Sequence, residues 1–246
     1  MHNGISLFRK ADIINNVARI LQHQQADIVC LQEDLDTHGE VEGRLYKQFK
    51  DVWSNKVEGK TVLHSLGEQK NSIMTRFPVV FEDCVDISML GRQPRCMIRA
   101  DIQYVPHDET IVTVLCTHFG LSGKERCVQA MKVAHYIKTN VPPGRPVLLV
   151  GDFNDWTRRL SKVFLGTGLK DTFVESVGKH VATYPSFMAL LSLDRLYFRD
   201  LELVSSRVIK EAGWYGNSDH LPVVGVFRPV HDLSSGPFEE HPIPGL

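Results

Sequence analysis

Net charge is nearly absent from this sequence: 28 lysines and arginines face 29 aspartates and glutamates in 246 residues, leaving −1 overall. That balance excludes a general nucleic-acid coat protein, whose affinity rests on a basic excess, while leaving room for a local basic patch. Long hydrophobic runs are missing too. Nothing approaches the ~20 apolar residues that a bilayer-spanning helix needs, and the opening stretch, Met1 to Asp12, has no apolar segment of the signal-peptide kind. Cysteines number only five, Cys30, Cys84, Cys96, Cys116 and Cys127, and none form a CxxC pair. An odd count without a disulfide framework points to a reducing compartment, so the expectation is a soluble, cytoplasmic monomer. There is no internal repeat, no glycine-rich phosphate loop, no serine or cysteine nucleophile elbow and no zinc-knuckle spacing.

What is present is an ordinary globular composition, 43% apolar and 23% charged, enough for a sizeable core. Residues 11–25 put Ile13, Val17, Ile20 and Leu21 on one helical face, and the next apolar run ends in Gln32 and Glu33. Residues 34–70 are polar and glycine-punctuated, with no clear period. Strands are expected over 71–80, 96–105 and 110–120, then a helix with Val128, Met131, Ala134 and Ile137 on its apolar face. The run 146–150 is a buried strand, and 191–198 and 220–227 are expected as the last two strands. Phe187, Met188, Leu190 and Leu191 suit a core element better than a lipid-facing lip. From Pro229 onward the chain holds four of its twelve prolines and little apolar periodicity, so a domain over 1–228 and a proline-rich tail over 229–246 are expected.

The acidic and imidazole groups sit at the ends of short apolar runs: Glu33, His118, Asp152 with Asn154, Asp194, and Asp219 with His220. Strands of one sheet share their ends, so such residues can meet in one cleft. Period-two alternation aims Asp152 and Asn154 to one face and Phe153 to the other. Oxygen-rich ligands suit Mg²⁺ or Mn²⁺. A carboxylate beside such an ion can orient or deprotonate water, histidine and asparagine can hold phosphoryl oxygens, and an Asp–His pair favours the cationic imidazole.

In order along the chain, Gln32-Glu33, Thr117-His118, Gly151-Asp152-Phe153-Asn154-Asp155 and Ser218-Asp219-His220 resemble the endonuclease/exonuclease/phosphatase superfamily over roughly Met1 to Arg228. The resemblance is nearest to a branch of small bacterial proteins through Gly151–Trp156, the Thr183-Tyr184-Pro185-Ser186 segment and Leu193–Tyr197. It implies a four-layer α/β/β/α sandwich of two mixed sheets flanked by helices, and metal-dependent hydrolysis of a phosphoester. It further implies Glu33, Asp152 and Asp219 as metal ligands. Asp152 would activate water, His118 and Asn154 would hold the scissile phosphate, and Asp194 would pair with His220. Arg95 resembles the family's phosphate-contacting arginine, and Asn71 stands in a segment similar to the family's Gly-Asn-Ala. Met1-His2-Asn3-Gly4 resembles the residues just after the Asn that closes the family's opening strand, so that strand is expected to be missing here and encoded upstream of Met1.

Each residue has an ordinary explanation when taken singly. Gly151-Asp152 and Asn154-Asp155 suit a plain turn, Asp219 a turn cap, His118 a strand end, and Glu33 a solvated side chain. Trp156, Trp214 and Tyr215 suit either the cleft rim or plain packing, and Lys124, Arg126, Arg158 and Arg159 are most simply solvated charges. Four separated motifs in one order weigh against coincidence. The expected activity leans to a nuclease-type phosphodiesterase on DNA or RNA. A small or lipid phosphodiester and a non-catalytic phosphate-binding protein are the alternatives.

Overall fold

The computed structural model describes residues 17, 19–36, 51–64, 67–105, 108–210, 214 and 217–230. The expectation for Met1–Gly4, most of the helix over 11–25, Tyr215 and the tail beyond 230 lie outside the described residues.

Eleven strands are described: β1 (Ile28–Asp36), β2 (Asn55–His64), β3 (Gly67–Thr75), β4 (Val79–Asp86), β5 (Cys96–Val105), β6 (Asp108–His118), β7 (Val147–Asp152), β8 (Lys170–Asp171), β9 (Asp194–Arg199), β10 (Leu201–Val208) and β11 (Val223–Pro229). The named helices are α1 (Gly123–Asn140), α2 (Ser161–Leu165) and α3 (Thr172–Val177). Six strands form one mixed sheet in the order β4-β5-β6-β7-β9-β8. In it, β6 and β7 run parallel, and α1 makes the crossover that a parallel pair requires. The second layer is split into an antiparallel β1-β3-β2 ladder and a β10-β11 pair. Between β1 and β11 lies a cavity of about 550 Å³ lined by Val29, Leu31, Leu196, Val224 and Val226 among others.

Alternation along the central strands builds the layers. Met97 on β5, Leu115 on β6, and Val147 and Leu149 on β7 point to one face and meet Ala130, Val133 and Ile137 of α1. Cys96, Ile98, Ala100, Val112, Val114 and Cys116 point to the other face and pack on Val57 and Ile73. Behind that second sheet, Leu21 from the helical turns over 19–23 closes on Val29, Trp53 and Met74. The result is the expected α/β/β/α order.

Several details differ from expectation. Run 71–80 is two strands, because Arg76-Phe77-Pro78 turns the chain between β3 and β4. The unperiodic 34–70 stretch contains β2, whose partner β3 supplies the pairing that its own composition does not advertise. A further strand, β10, precedes the last one. On α1 the buried face is turned by one residue. Ala134 and Ile137 are buried as expected, but Ala130 and Val133 join them with the polar Arg126 and Gln129, while Met131 is half exposed. Its N-terminal turns pack beside polar loops rather than the apolar sheet, so polar residues share the inward stripe. The segment 187–191 is not core: Phe187 is 75% exposed and Leu190 is 64% exposed.

At the end of the sheet remote from β6's last residue, Asp101 accepts from Arg99, Arg145 and Thr113 at 2.7–2.8 Å. That buried carboxylate is fully occupied and ties the α1–β7 connection to β5. Beneath the opposite end, Phe119, Phe153, Phe164 and Tyr197 pack with ring centroids 5.0–6.5 Å apart, mostly tilted or edge-on. Phe164 is fully buried at the centre of this cluster. Phe164→Ala is expected to cost about 3–5 kcal/mol of unfolding free energy. Urea denaturation checks this, and a loss under about 1 kcal/mol would show that the cluster is not the floor it is taken to be.

Candidate active site

The register of three neighbouring strands assembles the site. His118, the last residue of β6, lies beside Asp152, the last of β7, and Asp152 lies beside Asp194, the first of β9. All three share parity with Cys116, Val150 and Leu196, so they face the gap between the sheets at its open end. Gly151 permits this approach. A Cβ there would meet the Thr117 carbonyl oxygen at 1.9 Å, and its φ of +152° disfavours other residues.

Glu33 reaches the same gap by a different device. Ile28 and Cys30 face the inter-sheet core, while Val29 and Leu31 face the outer helical layer. Strict alternation would therefore send Glu33 outward. The β1–β3 register shifts between Leu31 and Asp34, and Glu33 takes a φ of +56°. This bulge re-aims the carboxylate so that Oε1 stands 3.9 Å from His118 Nδ1. Gln32, still facing inward, donates to Cys116 Sγ at 3.2 Å.

Asn154 is also placed by a turn, not by the strand alternation expected for it, because β7 ends at Asp152. Its N–H donates to Asp152 Oδ1 at 2.8 Å and its Nδ2 to the Phe119 carbonyl at 2.9 Å, with a φ of +49°. Asparagine tolerates that left-handed conformation better than most residues. Glu33 and Asn154 both hold uncommon backbone angles at one cleft, as functional sites often do.

Asp194 Oδ2 lies 2.8 Å from His220 Nδ1. Burial pulls the His220 pKa down, but the hydrogen bond and charge of Asp194, with Asp152 and Asp219 behind, outweigh it and raise it to about 9. His220 is therefore cationic at neutral pH, with Nδ1–H turned to Asp194 and Nε2 4.0 Å from Asp152 Oδ2. His118 goes the other way. Burial, then the charges of Arg95 and His220, hold it well below the usual histidine range. Arg95 Nη1 lies 3.1 Å from His118 Nδ1, and a guanidinium only donates, so the neutral ring carries its hydrogen on Nε2. That nitrogen is 3.5 Å from Asp152 Oδ2. Burial and the neighbouring Asp194 charge push the Asp152 carboxyl up to about 7, against the lowering pull of His220.

Arg95 is 7% exposed, and its Nε, buried, has no hydrogen-bond partner among the described residues. A buried cation with an idle donor beside carboxylates and imidazoles suits an incoming anion. Asn71 is fully buried and donates to the Cys96 carbonyl at 3.0 Å, bracing the residue after Arg95. Asp219 acts here through its backbone, accepting from Ser186 N–H at 2.7 Å, and through its charge on His220. Every expected site residue thus falls at one end of the sandwich, with Asp219 joined to the Asp152 cluster by way of His220.

Tyr184 belongs to the site, although the sequence offers no signal for it beyond the Thr183–Ser186 motif. Its ring packs on His220 at 4.9 Å between centroids. Trp214 is not at the rim: it is 8% exposed, packs on Ile20, Ile209 and Leu221, and donates to the His220 carbonyl. Trp156 is at the rim, half exposed, with the Arg126 guanidinium 4.2 Å from its ring centre.

Among the described residues, no three Asp, Glu, His or Cys side chains form a closed metal cage. Glu33 and Asp152 are oxygen donors close to His118, a set that fits an ion bound through one or two carboxylates, waters and a phosphate oxygen.

The sequence profile of the Endonuclease/Exonuclease/phosphatase family matches residues 14–220. The uncharacterized protein YbhP of Escherichia coli K12 is 28% identical over 234 residues, covering 91% of each chain. Among solved structures, an endonuclease/exonuclease/phosphatase from Bacteroides vulgatus superposes with a TM-score of 0.74 at 17% identity, over 89% of this chain and 91% of that one. The mannosyl-6-phosphatase Bt3783 of Bacteroides thetaiotaomicron gives 0.72 at 17% identity, over 92% and 95%. The human Nocturnin catalytic domain with bound sulfate gives 0.68 at 16% identity, over 88% and 86%.

The Asp194–His220 pair yields a signed pH prediction. A histidine whose folded pKa lies above its unfolded ~6.5 adds stability fully below that value, and loses it as pH rises through about 9. In metal-free protein, NMR titration of His220 should give a midpoint near 9. In Asp194→Asn it should fall clearly, because burial is then opposed only by the more distant charges of Asp152 and Asp219. A midpoint that Asp194→Asn leaves in place would refute the pairing.

Proposed function

Because the chain belongs to the endonuclease/exonuclease/phosphatase family, we propose that it hydrolyses a phosphodiester by in-line attack of water, assisted by Mg²⁺ or Mn²⁺. The observation that carries this reading is the row of His118, Asp152 and Asp194, closed by His220 and faced by Glu33 and Arg95. Members of the family are typically phosphoester hydrolases, and the fold neighbours include one named a mannosyl-6-phosphatase and one whose structure holds a sulfate anion.

Glu33 and Asp152 would hold the ion, with Asp219 assisting. When bound, such an ion polarises the phosphoryl group and offsets charge on its oxygens. The chain's own groups do the rest. Asp152, with one oxygen fixed by the Asn154 N–H, orients water and accepts its proton. His220, held cationic by Asp194, points Nε2 toward Asp152 and donates to the phosphoryl oxygen as charge grows there. His118 offers its Nε2–H, Arg95 its idle Nε–H, and Asn154 its second amide hydrogen to the remaining oxygens. Asp194 sets the His220 tautomer and does not itself meet substrate.

The same chemistry serves a nucleic-acid backbone, the nuclease-type activity toward which the sequence leans, or a small or lipid phosphodiester. A phosphomonoester, or phosphate binding without turnover, is the alternative an assay panel reads out. Activity on bis(4-nitrophenyl) phosphate or an oligonucleotide should vanish with chelator and return with Mg²⁺ or Mn²⁺. Full activity after exhaustive metal removal would sink the mechanism. Asp152→Asn and His220→Ala should each lower kcat by ~10²-fold or more with the fold intact, and Asp194→Asn by less than His220→Ala. Near-wild-type turnover in either of the first two would refute the roles assigned.

A further inference from the structure

Four loops open from the same end of the six-stranded sheet as the site. They are 88–94 before β5, 119–124 after β6 (running into the first turn of α1), 153–160 after β7 and 184–193 before β9. Their outward side chains are unusual in two respects. Leu90 is 100% exposed, Leu121 68%, Phe187 75% and Leu190 64%, with Met188 and Trp156 about half exposed beside them. The charged side chains these loops expose, Arg92, Lys124, Arg158 and Arg159, are all cations. The acidic residue in them, Asp155, is buried and occupied by Thr157 Oγ1 and the Leu160 N–H. In a chain of net charge −1, these four loops carry an apolar rim whose exposed charges are cations, set around a cleft whose own carboxylates, Glu33 and Asp219, are part-exposed.

We propose that this rim docks the protein on an anionic lipid surface, so that the cleft takes a phosphodiester headgroup at the bilayer interface. The inference rests on the phosphodiesterase reading above and names the substrate class for it. Singly exposed leucines are ordinary, but a cluster around one cleft marks an interaction surface.

The exposure is not the mark of a slack loop. The Leu190 and Leu191 N–H groups both donate to the Tyr184 carbonyl at 2.8 Å, and Ser186 ties to the Asp219 and Ser218 carbonyls at 2.7 and 2.8 Å. Backbone and polar bonds thus order the segment, and its apolar tips are left outward. Tyr184, at the root of the same loop, packs on His220, so the rim is fixed relative to the reacting groups. Trp156 has the Arg126 guanidinium against its ring and an exposed remainder, the amphipathic placement that membrane interfaces favour.

Nucleic acid would also meet the cations, and could stack on Trp156. It has no use for the aliphatic ends of Leu90, Leu121, Met188 and Leu190, whereas hydrocarbon beneath anionic headgroups engages both sets at once.

The test is flotation of the whole chain with phosphatidylcholine vesicles, with and without phosphatidylglycerol. Association is expected with the anionic vesicles and should be much weaker without phosphatidylglycerol. The double variant Phe187→Asp/Leu190→Asp, and separately Leu90→Asp on another loop, should weaken it at least about tenfold at unchanged melting temperature. Val80→Asp, an exposed residue at the opposite end of the sheet, should leave it unaltered. No association with anionic vesicles, equal association with both vesicle types, or association indifferent to the rim variants would overturn the proposal. So would an oligonucleotide whose binding depends on the rim while vesicles do not bind. Wild-type hydrolysis of soluble bis(4-nitrophenyl) phosphate, measured without vesicles, separates a failure of docking from a failure of the reaction itself.

Discussion

His118, Asp152 and Asp194 stand abreast because β6, β7 and β9 are hydrogen-bonded in one register, and that register depends on how closely β6 and β7 approach at Gly151. Side chains at the ends of adjacent strands are held about one strand spacing apart, ~4.8 Å, without any contact between them having to arrange it. This is why two carboxylates that repel each other can be neighbours at all. The ladder and the aromatic floor beneath it, with Phe153 wedged between Phe119, Phe164 and Tyr197, fix the backbone, so burial first and then the repulsion appear as a raised Asp152 pKa instead of a displaced side chain. The row is a consequence of packing, and the chemistry is a consequence of the row.

Electrostatics then divides the imidazoles. Burial pulls both His220 and His118 toward the neutral form, yet one is held protonated and the other is not. The difference lies in their partners: a carboxylate at 2.8 Å for His220 and a guanidinium at 3.1 Å for His118. Asp152, between them, faces the N–H of a neutral ring on one side and a cation on the other. A group near neutrality flanked by one fixed cation and one fixed dipole suits proton transfer, and pairs of titratable groups pushed apart by their surroundings usually mark the acid and base of a site.

Much of this is legible in the sequence, for a physical reason. Strand-end residues announce themselves, because an apolar run must stop where the sheet meets solvent and a polar residue there is conspicuous. Hence His118, Asp152, Asp194 and His220 stand out, and motif order links them. The features that escape are decided by pairing and not by composition. β2 has no period of its own and exists because β3 is beside it. Glu33 stands out by its motif although alternation alone points it outward; only the β1 bulge, invisible in the residue string, turns it inward. Asn154 reaches the expected place by another local cause, since a turn closed by Asp152 does what a strand is expected to do. Phe187 to Leu191 suit a core on composition because composition equates apolar with buried, and the backbone bonds that hold them outward leave no trace in it.

That last misplacement has a wider consequence for how the cleft is surrounded. Loops 119–124 and 184–193 place Asn154 and order the rim through main-chain atoms. The Phe119 carbonyl fixes Asn154, the Leu121 carbonyl takes Arg126 Nη1, and the Tyr184 carbonyl gathers Leu190 and Leu191. Main-chain bonds do not depend on side-chain identity, so the outward residues of these loops are free of any duty to the row of His118, Asp152 and Asp194. Composition at the rim and geometry at the floor are therefore set by separate atoms of the same segments. What presents a phosphodiester to the cleft can differ with the rim, while the way its phosphorus meets water stays with the strand register.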